Sequence, residues 1–181
     1  MTLTDSARQF ILHWGEMGTR WGVNRTVAQV HALLYLSPES LTAEEIAETL
    51  SVARSNVSTS LKELQSWNLV QIDSRIGDRR DYFQTSSDVW KLFLIVVEQR
   101  VEREILPTLT LLRRLAAEAR AERPLQPIVT ARITAMQEFL EQLHGWYAQI
   151  KALPTASLRS LIGIGSGITR LLPKSRRRRL D

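Results

Sequence analysis

The stretch from Leu41 to Thr85 leaves this chain few choices of fold. It opens with LTAEEIAETL, in which Thr42 and Glu45 have the spacing of a capping box. A second helical stretch, SVARSNVSTSLKELQSWNL, follows after a short turn. Two strand-like runs, VQID and YFQT, then close the unit, joined by SRIGDRR with Gly77-Asp78 as its turn pair. Helix, turn, helix, hairpin is the order of a winged helix-turn-helix.

The second helix carries the chemistry. Val57, Leu61 and Leu64 recur at i, i+4 and i+7 and share one face, which must bury against the preceding helices. Ser55, Ser58, Thr59, Lys62 and Ser66 point the other way, with Arg54 and Asn56 near the first turn and Glu63 as the carboxylate. Short hydrogen-bonding side chains with little negative charge can enter a major groove. Arg54 and Asn56 stand where base edges are read, while Ser55, Ser58, Thr59 and Lys62 can meet phosphates. The plain alternative is a solvated helix face, but serine and threonine are poor material for one, because their hydroxyls compete for the backbone. In the hairpin, Val70, Ile72 and Phe83 alternate, and Arg75, Arg79 and Arg80 cluster near the tip against Asp73, Asp78 and Asp81. One aspartate is expected to hold an arginine in place; the alternative is a surface ladder of ion pairs.

Ahead of this unit, Asp5 to about Met17 reads as a helix with Phe10, Ile11 and Trp14 on its apolar side. Gly15, Gly18 and Gly22 are expected to loosen the chain around Trp21. Asn24 can cap a second helix to about Ser37, with Val27, Val30, Leu33 and Leu34 inward and Pro38 as its stop. After Asp88 the period is helical again, through Leu92, Ile95, Val96 and Val101, with an interruption near Pro107. Pro124 and Pro127 precede a further helix from about Ile128 to Lys151, bearing Ile133, Met136, Phe139, Leu140, Leu143, Trp146 and Tyr147. The fold class is therefore mainly α with a small β-hairpin wing: a winged helix-turn-helix plus a helical dimerisation region. The expected division is residues 1–87 for the DNA-binding domain, 88–157 for dimerisation and 158–181 for a C-terminal segment. A monomeric helical bundle is the alternative to the dimer.

Charge needs locating before it is used. The net charge is +5, yet residues 170–181 hold six basic side chains and one acidic. The other 169 residues are therefore neutral overall. Arg176, Arg177, Arg178 and Arg179 form a tail suited to unspecific contact with polyanions. DNA reading must rest on the pattern in residues 41–85. There are no cysteines, so disulfides and thiolate chemistry are excluded. The N-terminus lacks a basic-then-apolar leader, and no run is long and apolar enough to span a bilayer, so a cytoplasmic setting without membrane insertion is expected.

Nothing in the sequence assembles an active site. His13, His31 and His144 fall in separate helices with no metal-ligand spacing, and Gly163, Gly165 and Gly167 lack the context of a phosphate loop. No catalytic residue, metal or cofactor is expected. Trp14, Trp21, Tyr35 and Trp90 lie outside the reading helix and are candidates for an effector pocket, in which ring faces would hold an apolar or quaternary-ammonium ligand. Core packing is the alternative for each ring.

The element order and the wing sequence DSRIGDRRDYFQTSSDVW resemble the MarR-type winged-helix transcriptional regulators. GDRRDYF followed by DVW and QRVEREILPTL is more narrowly similar to the GbsR-like subgroup, over roughly residues 10 to 150. The resemblance implies a dimeric, non-enzymatic DNA-binding regulator, often a repressor. It also implies residues 53–67 as recognition helix, and Arg75, Arg79 and Arg80 as wing contacts. Asp78 and Arg80 match the acid–arginine arrangement that shapes the family's wing. GbsR-like proteins are similar to regulators responding to choline or glycine betaine, which identifies no cage residues here. The expected partners are an inverted-repeat duplex, a second copy of the chain and a small-molecule effector. The alternative function is a winged-helix protein-interaction adaptor without sequence preference on DNA.

Overall fold

The computed structural model describes residues 3–121 and 127–160. The expectations for Pro124, the glycine-rich segment and the arginine tail fall outside those residues. The chain divides into two compact units, Met1–Arg100 and Val101–Asp181.

The first unit begins with α1 (Asp5–Arg20) and α2 (Arg25–Leu36). Thr4 caps α1 by accepting from the Ala7 amide, and Asn24 caps α2 by accepting from Thr26. Here the expected loosening by glycine is corrected. Helix α1 runs through Gly15 and Gly18 to Arg20, and both glycines are buried in it. They permit close packing: a Cβ on Gly18 would sit 2.5 Å from Ala28 Cβ, and one on Gly15 2.7 Å from Gln29 Cγ. Gly22, at φ +76°, is the one of the three that makes the turn.

Strand β1 (Leu41–Thr42) leads into α3 (Ala43–Leu50), whose start carries the expected reciprocal capping box between Thr42 and Glu45. The Thr42 amide and hydroxyl both donate to Glu45 Oε2, at 2.7 and 2.8 Å, and these bonds hold the Glu45 carboxyl below its usual range. Ser51, in the left-handed region, ends α3 and turns the chain into α4 (Arg54–Ser66). The inner face of α4 is Val57, Leu61 and Leu64, all but fully buried, as the spacing predicts; Ser60 is buried with them. They join Val27, Val30, Leu33, Leu34 and Ile46 in one core. Trp67 packs partly against that core at the end of α4, and Asn68 takes the left-handed turn into the wing.

The wing is β2 (Val70–Ser74) and β3 (Asp81–Thr85), and β1 joins it to make the sheet order β1-β3-β2. Strand β1 was hidden inside a helix signal. The simple alternation expected of the hairpin also fails. Tyr82 and Phe83 are adjacent and both buried, while Ile72, opposite Phe83 on the edge strand, is 45% exposed. Helix α5 (Val89–Arg100) closes the unit, with Leu92 buried in the core and Ile95 packed against it.

The second unit starts with a π-helical turn, Val101–Ile105, continuing into α6 (Leu106–Ala121). The interruption expected near Pro107 is this turn; proline lacks the N–H that a regular helix needs there. Helix α7 (Pro127–Lys151) packs with α6, and Arg113 of α6 bridges Glu141 of α7 at 2.9 Å. Leu140 is the buried residue of α7, whereas Met136, Phe139, Leu143 and Trp146 are exposed.

One buried ionisable group ties α2 to the wing. Thr85 donates its hydroxyl proton to the Leu69 carbonyl at 2.6 Å, so the 3.3 Å contact to His31 Nε2 has the imidazole as donor. Burial pulls the His31 pKa down to about 4. An unfolded imidazole takes a proton below about pH 6.5. Stability is therefore full above that value and falls as pH drops towards 4, by about 1.4 kcal/mol per pH unit. Urea titrations across this window should show His31→Gln losing about 3 kcal/mol less than the parent chain. Gly18→Ala should lower stability. Its Cβ meets a rigid Ala28 Cβ, and overpacking of about 1–3 kcal/mol outweighs the helix propensity gained, as thermal denaturation would register.

Candidate nucleic-acid interface

The outer face of α4 presents the side chains the sequence singled out. Arg54, Ser55, Asn56, Thr59 and Lys62 are exposed and Ser58 is half-buried. The residue at the N-cap of α4 is Ala53, which offers no side-chain oxygen to the first-turn amides. Thr59 donates its hydroxyl to the Ser55 carbonyl at 3.1 Å, so outwardly it acts as an acceptor. Glu44, at the start of α3, lies 3.6 Å from Arg54. Sequence reasoning missed this partner, because it comes from a different helix. Both side chains are about two-thirds exposed, at 65% and 62%. Such surface pairs contribute little, so Arg54 can leave Glu44 at small cost.

The wing arginines have distinct surroundings. Arg80 reaches both oxygens of Asp78 through Nε and Nη2, at 2.6 to 3.1 Å, and its Nη2 also donates to the Tyr82 hydroxyl at 2.8 Å. Tyr82 in turn donates to Asp78 Oδ2 at 2.8 Å. Arg80 and Tyr82 together hold the Asp78 carboxyl far below the usual carboxylate range, and Asp78 holds Arg80 high. Hydrogen bonding to Asp78 pushes the Tyr82 phenol up. Arg75 lies 3.8 Å over the Tyr82 ring, donates to Ser40 Oγ at 3.0 Å and approaches Asp73 at 3.9 Å. Ser40 donates to the same Asp73 carboxylate at 2.9 Å. Among the described residues Arg79 has no hydrogen bond or ion pair.

Tyr82 is the residue that sequence reasoning overlooked. Two adjacent aromatics, Tyr82 and Phe83, in a short strand-like run were the available signal. Its phenol and ring organise two arginines and an aspartate beside the wing's turn.

The four aromatic candidates separate into smaller groups. Trp14 stacks on Phe10 with centroids 5.2 Å apart, and Phe10 stacks on Tyr35 at 6.3 Å. Trp90 meets Phe93 edge-on at 6.4 Å. Trp21 is 59% exposed at the end of α1, where its carbonyl accepts from Arg100. One open hollow of about 300 Å³ is lined by residues such as Gln71, Gln84 and Lys91; another, of about 280 Å³, by Arg8, Gln29 and Thr49. None of the four aromatic candidates lines either hollow. Among the described residues no cluster of three or more His, Asp or Glu side chains could hold a metal, and no helix is long and apolar enough to cross a membrane.

Residues 21–81, spanning α2 to the start of β3, match the model of the MarR family. Over this segment, about a third of the chain, the protein is similar to the MarR family. A curated relative, the HTH-type transcriptional repressor GbsR of Bacillus subtilis (strain 168), is 28% identical over 98 residues. The match covers 54% of each protein, so the chain spans about half the length of the relative it matches. A crystal structure of a transcriptional regulator superposes with a TM-score of 0.62 at 20% identity, covering 81% of this chain and 95% of that one. The shared fold therefore extends beyond the segment matched by the family model.

Breaking the Asp78–Arg80 contact should loosen the wing tip locally. In Asp78→Asn, hydrogen exchange at the Arg80 amide, which donates to Asp78 Oδ1 at 3.0 Å, should accelerate. The amides of Leu61 and Leu64 should keep the exchange rates of the parent chain.

Proposed function

We propose that the protein is a homodimeric, sequence-specific double-stranded DNA-binding transcriptional regulator acting as a repressor. The supporting observation is the outer face of α4, with Arg54 and Asn56 at its uncapped start, beside a wing stiffened through Tyr82. Two copies would place two recognition helices in successive major grooves, about 34 Å apart, with the wings gripping the flanks. The exposed Met136, Phe139, Leu143 and Trp146 of α7 supply apolar surface suited to a second copy. Repression, and membership of the GbsR-like subgroup, draw on the GDRRDYF wing and on the name of the Bacillus relative. A small molecule modulates the dimer by changing the spacing of the reading heads. The protein works in the cytoplasm, without enzymatic activity or cofactor, and its arginine tail adds unspecific affinity for DNA.

Selection from a random duplex library at moderate salt tests this function, with the full chain beside one ending at Leu172. Recovery of the same inverted repeat by both is the expected result. Binding by the full chain alone, to every sequence alike, would favour a protein-interaction adaptor. On the recovered site Arg54→Ala should cost about 1–3 kcal/mol, as expected for a bidentate base contact. An equal loss on scrambled duplex would make Arg54 a phosphate contact instead.

A further inference from the structure

Resting on the DNA-binding function above, we infer that Ile76 is the wing's own reading group: its side chain enters the minor groove beside the half-site and favours A·T over G·C pairs there. Ile76 is 107% exposed, more than any other large apolar side chain described. It occupies the apex of a tight turn closed by the Asp78 amide donating to the Arg75 carbonyl at 3.2 Å. Gly77 follows at φ +83°, as the third position of a type II turn requires, and a Cβ placed there would meet nothing within 4 Å. The apex is thus narrow and has open space around it.

The neighbouring cations do not lead. Arg75 is drawn back onto Tyr82 and Ser40, and Arg80 onto Asp78 and Tyr82. What projects is hydrocarbon, with the exposed Arg79 in the same loop. Asp78 and Asp81 also sit close by, so the tip has little net charge to attract it to the backbone. An isoleucine gains from contact by leaving water, and the minor groove, about 6 Å wide, admits one such side chain on a hairpin turn. Apolar side chains are a recurrent means of minor-groove contact. The floor of that groove differs between pairs chiefly in the guanine 2-amino group, a donor that an isoleucine would strip of water and leave unpaired. Discrimination arises from that unmet donor.

Base-pair surgery on the selected site tests this contact with the full chain. Inosine·cytosine keeps the minor-groove face of A·T while presenting the major-groove face of G·C. The parent chain should tolerate inosine·cytosine at the flanking positions and lose about tenfold in affinity on G·C. Ile76→Ala should lose about tenfold on A·T flanks and no longer distinguish the two pairs, while Ile76→Val keeps most of both. Melting temperatures should match the parent, because a fully exposed side chain has no packing to lose. If Ile76→Ala binds and discriminates as the parent does, or if inosine·cytosine weakens binding as much as G·C, the contact is refuted while DNA reading stands. If the parent chain shows no sequence preference at all, the function itself falls and the contact with it.

Discussion

Taking the inner faces of α2 and α4 out of water is the interaction on which the first unit depends. Val30, Leu33, Ile46, Val57, Leu61 and Leu64 are each no more than 2% exposed, and they come from three different helices. Each buried side chain of this size contributes about 1.5–3 kcal/mol relative to exposure. With α4 anchored from one side, its other side is released from helix-forming duty. Ser55, Ser58 and Thr59 can stand in succession there, although their propensities alone would not sustain a helix.

The same division explains what could be read from the sequence. Inward positions at helical spacing were legible, because burial selects apolar residues at a fixed period. So were the caps at Asn24 and Thr42, where short polar side chains meet orphan amides. Gly15 and Gly18 misled, since a glycine read alone signals a turn, and only the neighbouring helix reveals that it makes room for Ala28 and Gln29. Strand β1 was invisible because two residues carry no period, and its pairing with β3 crosses about forty residues of chain, Leu41 lying opposite Phe83. The candidate site was legible as a list of exposed side chains, whereas Glu44, Ser40 and Tyr82 entered through tertiary contact.

Charge in the wing is arranged to cancel locally. Each of Arg75 and Arg80 has an aspartate and the same tyrosine for company, so the hairpin is stiff without being strongly basic. A stiff, nearly neutral wing sets geometry more than attraction. In the proposed regulator, long-range pull on a duplex falls to other parts of the chain, and the head contributes selectivity once it has arrived.

The start of α4 has a consequence for how this domain responds to its surroundings. A helix beginning at alanine forgoes the roughly 1 kcal/mol that a serine or aspartate cap would add. The Arg54 and Ser55 amides receive no side-chain cap at the end where the helix dipole is positive, while the Asn56 amide donates to the Ala53 carbonyl. An anion placed there completes the helix as a cap would, so occupancy and local order rise together. Of α1 to α4, it is α4 whose start has no side-chain cap, so the order of its first turn depends most on what meets that end.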